Sequence, residues 1–96
     1  MKILALEIEN SNANPSLFQK FAKAEAEHVY KLYQLGKIRE IYYRQDPKAA
    51  VIMLECQDMD EARLILRELP FVRNNLITFE IIPLKPYNGF ERLFNN

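Results

Sequence analysis

The chain has 96 residues, of which 49% are apolar, and its 13 basic side chains balance its 13 acidic ones. This length suits one small domain, and the balanced charge argues against a nucleic acid and against a membrane as partners. The single cysteine, Cys56, excludes an internal disulfide and a multi-cysteine metal site. We expect no metal ion and no cofactor. The single cysteine also favours a reducing compartment. Because the apolar run at residues 3–6 is too short for a signal peptide, we expect a cytoplasmic protein.

Residues 2–9 predict the first strand, because apolar side chains alternate along them. One side of this strand is wholly apolar, and we expect that side to face the helices. The wholly apolar side consists of Leu4, Leu6 and Ile8, and the mixed side consists of Ile3, Ala5 and Glu7.

Residues 15–35 predict the first helix, which Asn14 caps and Pro15 begins. Gly36 follows at the position where a left-handed residue commonly closes a helix. Apolar side chains recur at three-to-four spacing along the helix, so one side is expected to pack on the sheet. Glu25 falls on this apolar side.

The next two strands are predicted over residues 37–45 and 49–56. Isoleucine and tyrosine favour extension in the first of them, and the second is almost entirely apolar. Pro47 presets the backbone of the turn that joins the two strands.

The second helix is predicted to begin at Asp58, with Glu61 completing a capping box, and to end at Pro70. A connector over residues 71–75 leads to the last strand, residues 76–84. The remaining segment, residues 85–96, carries the apolar anchors Phe90, Leu93 and Phe94.

This order predicts an α+β domain of ferredoxin-like βαββαβ arrangement over residues 1–84, a four-stranded antiparallel sheet with two helices on one face. The other face combines apolar and acidic side chains, and it is too apolar to be left to solvent. We therefore predict a homodimer, in which two sheets face each other and close an α+β barrel, or a higher oligomer built from it. Residues 85–96 are expected to lie over the partner; the alternative is that they pack on the chain's own helices.

From about Glu25 to Tyr87 the chain resembles the muconolactone isomerase-like family of dimeric α+β-barrel proteins. The residues that carry this resemblance are Glu25-Ala26-Glu27-His28, Leu32, Gly36, Arg39, Tyr42-Tyr43-Arg44, Asp58-Met59-Asp60-Glu61-Ala62, Leu69-Pro70-Phe71 and Ile82-Pro83-Leu84. The resemblance implies a cavity between the sheet and the first helix. In some members a carboxylate on that helix acts as the base that isomerises a lactone by proton transfer, and Glu25 lies at the similar position.

Three side chains are candidates for catalysis: Glu25, His28 and Tyr42. Glu25 would be desolvated and could shuttle a proton, unless its head reaches the helix edge and pairs with an arginine of the second strand. His28 could act as a general base, or it could simply lie on the helix surface. Tyr42 and Tyr43 point to opposite faces, so one of them faces the cavity, either to polarise a carbonyl or to pack in an interface.

Two functions fit these residues. The first is a muconolactone isomerase-like enzyme that acts on a small, partly apolar molecule by proton transfer. The second is a non-catalytic ligand-binding or oligomerisation module, which stays open because Leu4 and Ala5 stand where the isomerases carry a strand histidine. An RNA-recognition sheet is not expected, since the third strand has no aromatic residue.

Overall fold

The structure, a computed structural model, describes residues 1–95 and contains the predicted strands and helices together with two short additional helices. The elements are β1 (Lys2–Glu9), α1 (Pro15–Gln34), β2 (Ile38–Tyr43), β3 (Ala50–Glu55), α2 (Met59–Arg67), α3 (Pro70–Arg73), β4 (Ile77–Pro83) and a 3-10 helix (Gly89–Leu93). Among the residues described, no helix is both long enough and apolar enough to cross a membrane.

The four strands form one sheet in the order β2-β3-β1-β4, and every neighbouring pair is antiparallel. Leu32 of α1 and Leu66 of α2 share a hydrophobic core with Ile52 and Leu54 of β3, so both helices cover the same face. This arrangement confirms the predicted ferredoxin-like α+β fold. The second face of the sheet carries no layer from the described part of the chain, and we call it the open face.

The central strand β1 faces the helices with one side, and this is the opposite side from the one that we predict from its composition. Ile3 and Ala5 are fully buried beneath the helices, whereas Leu4 is half-buried and Ile8 is 51% exposed on the open face. The register agrees, since Ile3 pairs with the core residue Leu54. The prediction was wrong because alternation shows which side chains share a face but does not show which face is covered.

Both long helices begin at their predicted caps, and α1 ends just before the predicted glycine. The Oδ1 atom of Asn14 accepts a hydrogen bond from the backbone N–H of Ser16 at 3.0 Å, which satisfies a free donor at the start of α1. Gly36 has a φ of +78°, the left-handed conformation that closes a helix at little cost for glycine. The Oδ1 atom of Asp58 accepts a hydrogen bond from the N–H of Glu61 at 2.8 Å and caps α2.

The prediction that Pro70 ends the second helix is wrong, because α2 stops at Arg67 and Pro70 begins α3 instead. Proline is well suited to a first helical position, where its missing N–H would have had no partner. Leu69 lies fully buried between the two helices. The connector predicted over residues 71–75 is therefore partly helical.

The segment after β4 extends away from the body of the molecule. Phe90, Leu93 and Phe94 are 66, 76 and 80% exposed, so within residues 85–95 these side chains do not pack on the chain's own helices. The molecule measures 60 × 28 × 20 Å along its principal axes. Its radius of gyration of 15.8 Å exceeds the ~12–13 Å of a compact domain of this length. Asn96 lies outside the described residues.

Replacing Ile3 by alanine is expected to lower the free energy of unfolding by about 2–5 kcal/mol, because the substitution leaves a cavity in a closed core. Leu64→Ala is the matched control, since Leu64 is 56% exposed on α2 and the loss there should stay below about 1 kcal/mol. Urea denaturation at one fixed protein concentration measures both variants. Equal losses would contradict the placement of Ile3 beneath the helices.

Candidate functional site

A cavity of about 700 Å³ lies between α1 and the β2–β3 side of the sheet, within the size range of small-molecule sites. The helix is held close to its neighbours at one end by Phe18, whose ring packs edge-on against Phe71 of α3 with centroids 5.1 Å apart. Near its other end, Leu32 is buried in the core. Between these anchors α1 presents the small residues Ala22 and Ala26 to the cavity, which leaves space between helix and sheet.

Glu25 lines this cavity from α1, and its carboxylate has a defined partner. Its Oε1 atom accepts a hydrogen bond from the backbone N–H of Phe71 at 2.9 Å. That N–H lies in the first turn of α3, where backbone donors lack helical partners, and the cap residue Leu69 offers no side-chain acceptor. Burial raises the pKa of Glu25; the hydrogen bond lowers it in part, and the negative charge of Glu7 raises it further.

Glu7 lines the same cavity from β1, although it is not among the three site residues predicted from the sequence. It lies inside because β1 turns its mixed side to the helices, where Glu7 pairs with Phe79 of β4. Its Oε1 atom accepts a hydrogen bond from the backbone N–H of Ala50 at 3.3 Å. Burial raises the pKa of Glu7, this hydrogen bond lowers it in part, and Glu9 raises it slightly. The sequence signal that could have revealed Glu7 is that its carboxylate lies on the same side of the strand as Ile3 and Ala5.

Neither cavity carboxylate is paired with a cation in the described part of the chain. The ion pairs there use Glu55, Glu61 and Asp60 instead. The alternative in which Glu25 pairs with an arginine of the second strand is therefore not found within residues 1–95. Two half-buried carboxylates that share one cavity without a counter-ion are an arrangement able to hold and exchange a proton.

The two tyrosines of β2 divide between the faces of the sheet. Tyr43 pairs with the core residue Ala50 and borders the cavity, whereas Tyr42 pairs with Val51, whose side chain belongs to the open face. The hydroxyl of Tyr42 donates to Oε1 of Glu40 at 2.9 Å, and this bond raises the pKa of the phenol. The cavity reaches round the edge strand as far as both residues. Tyr43 is nevertheless the tyrosine on the same face as Glu25.

The cavity opens beside the bulged edge of β2. The pairing of β2 with β3 shifts register around Arg39, which lines the cavity. The Nε–H group of Arg39 donates to the carbonyl oxygen of Gly36 at 2.9 Å, which ties the guanidinium to the end of α1. Among the described residues that line the cavity, Arg39 is the one basic side chain, and this bond holds it at the end of α1.

His28 is not brought to the cavity. One helical residue turns by about 100°, so His28 lies about 60° from Glu25 on the side away from Ala26 and Val29, which line the cavity. It is half-buried on the edge of α1. Of the three predicted catalytic residues, only Glu25 lies on the sides of α1 and of the sheet that face each other across the cavity.

No site for a metal ion is built from the residues described, since no group of three or more histidine, cysteine, aspartate or glutamate side chains comes together among residues 1–95. Cys56 is buried and free. Burial raises the pKa of its thiol, which opposes the reactive thiolate form.

Comparison with solved structures shows that the fold is shared with an enzyme. The 5-chloro-2-hydroxyhydroquinone dehydrochlorinase of Burkholderia phenoliruptrix AC1100, solved in complex with 2,5-dihydroxybenzoquinone, has a TM-score of 0.74 to this chain. The two chains are 14% identical over 93% of this chain and 98% of the dehydrochlorinase chain. A likeness at this identity shows the fold alone. No family model and no curated protein matches the sequence.

Replacing Glu7 by glutamine is expected to lower the pKa of Glu25, because the change removes a nearby negative charge. Burial should still hold that pKa above its ordinary value of 4.5. Carbon-13 titration of the glutamate carboxyl groups measures this directly. Glu27→Gln, an exposed change on the same helix, is the control and should leave Glu25 unaffected. A Glu25 pKa that does not respond to Glu7→Gln would contradict their proximity.

The same titration has a consequence for stability. A carboxyl whose pKa is higher in the folded than in the unfolded state binds protons more tightly when folded. Stability should therefore fall as pH rises from 4.5 through the raised folded pKa. Glu25→Gln should flatten this decline in urea denaturation curves recorded across that window, and an unchanged slope would show that Glu25 does not contribute to it.

Proposed function

We propose that the chain forms a homodimeric α+β barrel whose cavity binds a small, partly apolar molecule and moves a proton within it. The observation that carries this proposal is that Glu7 and Glu25, both with raised pKa, line one cavity. A carboxyl whose pKa lies closer to neutrality exchanges protons more readily at physiological pH. The cytoplasmic location expected from the sequence belongs to the same proposal.

In the proposed reaction Glu25 is the base and protonated Glu7 is the acid. Glu25 takes a proton from a carbon that lies between a carbonyl group and a C=C double bond, and the electron pair of that C–H bond is delocalised into a dienolate whose charge lies on the carbonyl oxygen. Tyr43 polarises this oxygen from the cavity mouth. Glu7 then gives its proton to the far carbon of the dienolate, which moves the C=C double bond into conjugation with the carbonyl group. The ligand is isomerised with no net gain of atoms or electrons, and the proton on Glu25 returns to Glu7 through solvent before the next turnover.

Two likenesses support this class of reaction. Glu25 stands at the position similar to the helix-borne base of the muconolactone isomerase-like proteins. The molecule bound to the dehydrochlorinase of the same fold is a quinone, which is also small and bears carbonyl groups. Neither His28 nor Tyr42 has a step in the proposed reaction, because His28 is not among the cavity's lining residues and Tyr42 belongs to the open face of the sheet.

The homodimer is proposed from the open face of the sheet. A continuous apolar strip crosses three strands there, since Leu4 pairs with both Met53 and Ile82, and Leu6 pairs with Val51. These side chains are half-buried in the single chain. A second copy related by a two-fold axis would cover the strip with an identical one, and so complete its burial.

The tail, residues 85–95, is proposed to lie on the partner. It projects from its own body and presents Phe90, Leu93 and Phe94 to solvent. Tyr87 stiffens it by packing edge-on against Phe90 with ring centroids 5.0 Å apart. The same tail and strip also favour the second candidate function, a non-catalytic module in which they serve association alone.

Thermal unfolding in the presence of lactones, quinones, aromatic acids, haem and flavins should show a raised midpoint with one small carbonyl compound, because a ligand of the folded state stabilises it. For that compound, exchange of a carbon-bound proton with deuterated water should fall about 10²–10⁴-fold in Glu25→Gln. NMR measures this exchange. Tyr43→Phe should slow it, while Tyr42→Phe and Glu27→Gln serve as controls. Binding without exchange would favour the non-catalytic module.

Sedimentation velocity at micromolar concentration should show a species of about twice the 11.4 kDa chain mass. Val51→Glu should raise the dissociation constant at least about tenfold, because it places a charge in the covered strip. Leu64→Glu is the matched control on the outer side of α2, where Leu64 is exposed. Removal of the residues after Leu84 should also weaken the dimer. A monomer at every concentration would refute the proposed assembly.

A further inference from the structure

We infer that the ligand of this cavity carries a positively charged nitrogen, so that its chemical class is a small organic ammonium compound with a partly apolar body. The inference rests on the proposed function only in taking the cavity as the binding site. The inference requires Glu7 to be ionised when the ammonium compound binds, whereas the proposed reaction uses protonated Glu7 as its acid, so the two proposals are tested separately.

The first ground is the charge of the cavity. Glu7 and Glu25 line it on the helix-covered side of the sheet, and Arg39 is the one basic residue on its described lining. Glu40 borders it only from the open-face side, where it accepts a hydrogen bond from the hydroxyl of Tyr42. Within residues 1–95, the carboxylates of Glu7 and Glu25 accept hydrogen bonds only from backbone N–H groups, those of Ala50 and of the first turn of α3. Carboxylates out of full contact with water are normally paired with a cation. An ammonium ligand would supply that cation and form charge-assisted hydrogen bonds with both.

The second ground is the aromatic wall. Tyr30 and Tyr33 of α1 and Tyr43 of β2 border the cavity mouth, and each is more than half exposed. The faces of such rings attract cations. One of the rings already does so in this structure, because Nζ of Lys48 lies 4.7 Å from the centroid of Tyr43. Because Lys48 already occupies the ring of Tyr43, the rings left for a ligand ammonium at this mouth are those of Tyr30 and Tyr33.

An anionic ligand is a poorer fit. Arg39 is the one basic residue on the described lining, and its Nε–H is already bonded to the carbonyl of Gly36. An anion deep in the cavity would face Glu7 and Glu25 instead. A neutral ligand would leave their charges without a counter-ion. Among ligands of one size, the order of affinity should therefore be cation, then neutral molecule, then anion.

Three probes of one size test this order: benzylamine, which is protonated at pH 7, benzyl alcohol and benzoate. Isothermal titration calorimetry on the full chain should give benzylamine at least about tenfold higher affinity than benzyl alcohol, the gain expected of a charge-assisted hydrogen bond. Benzoate should bind more weakly than either. Equal affinities, or tighter binding of benzoate, would overturn the inference.

Glu7→Gln and Glu25→Gln should each lower the affinity for benzylamine about tenfold or more and leave that for benzyl alcohol nearly unchanged. Glu27→Gln, an exposed change on α1, is the matched control and should alter neither. Circular dichroism and the unfolding midpoint establish that each variant is folded. Unaltered benzylamine binding in both cavity variants would place the cation elsewhere and overturn the inference.

These outcomes separate the inference from the proposed function. If benzyl alcohol binds in the cavity and benzylamine gains nothing, the cavity remains a small-molecule site and the ammonium class is wrong. If none of the three probes binds, the ammonium class is again wrong. The proposed function then falls only if the carbonyl panel also leaves the unfolding midpoint unchanged.

Discussion

The alternation of side chains along β1 is the constraint on which the rest of the structure depends. This strand lies in the middle of the sheet and pairs with β3 on one side and β4 on the other. Its phase therefore determines the composition of both faces at once. With Ile3 and Ala5 inside, Glu7 must also lie inside, while Leu4 and Leu6 must lie outside. The cavity carboxylate and the apolar strip of the open face are two consequences of the same phase.

Different parts of α1 hold the helix in place and leave room for the cavity. The ends of α1 are held by packing, at Phe18 against α3 and at Leu32 in the core. The middle of α1 leaves a space above the sheet, and there the carboxylate of Glu25 accepts a hydrogen bond from a backbone N–H in the first turn of α3. The cost of desolvating this carboxylate is thus partly offset by a backbone donor that would itself lack a partner. The same residue completes a helix end and lines the cavity.

Local sequence signals are enough to predict the helices and strands. They are much less able to predict the residues of the site. Asn14 and Gly36 act through bonds and dihedral angles within a few residues, and both behave as their types predict. Glu25 was also found, because helical phase alone puts it on the buried side. Glu7 was missed because its position depends on which face of the sheet the helices cover. That choice is made by the packing of the whole domain, and similarly the face of Tyr43 follows from the register of β2 on β3.

The two alanines of α1 that border the cavity have a consequence for how such a protein could diversify. Ala22 and Ala26 contribute little to the core, since both are exposed to the cavity or to solvent. Larger side chains there would fill space without altering the carboxylates or their backbone donors. The size of the accepted molecule and its charge are thus set by different residues. Ligand size can change by substitution at these two positions while the chemistry of the cavity is inherited intact.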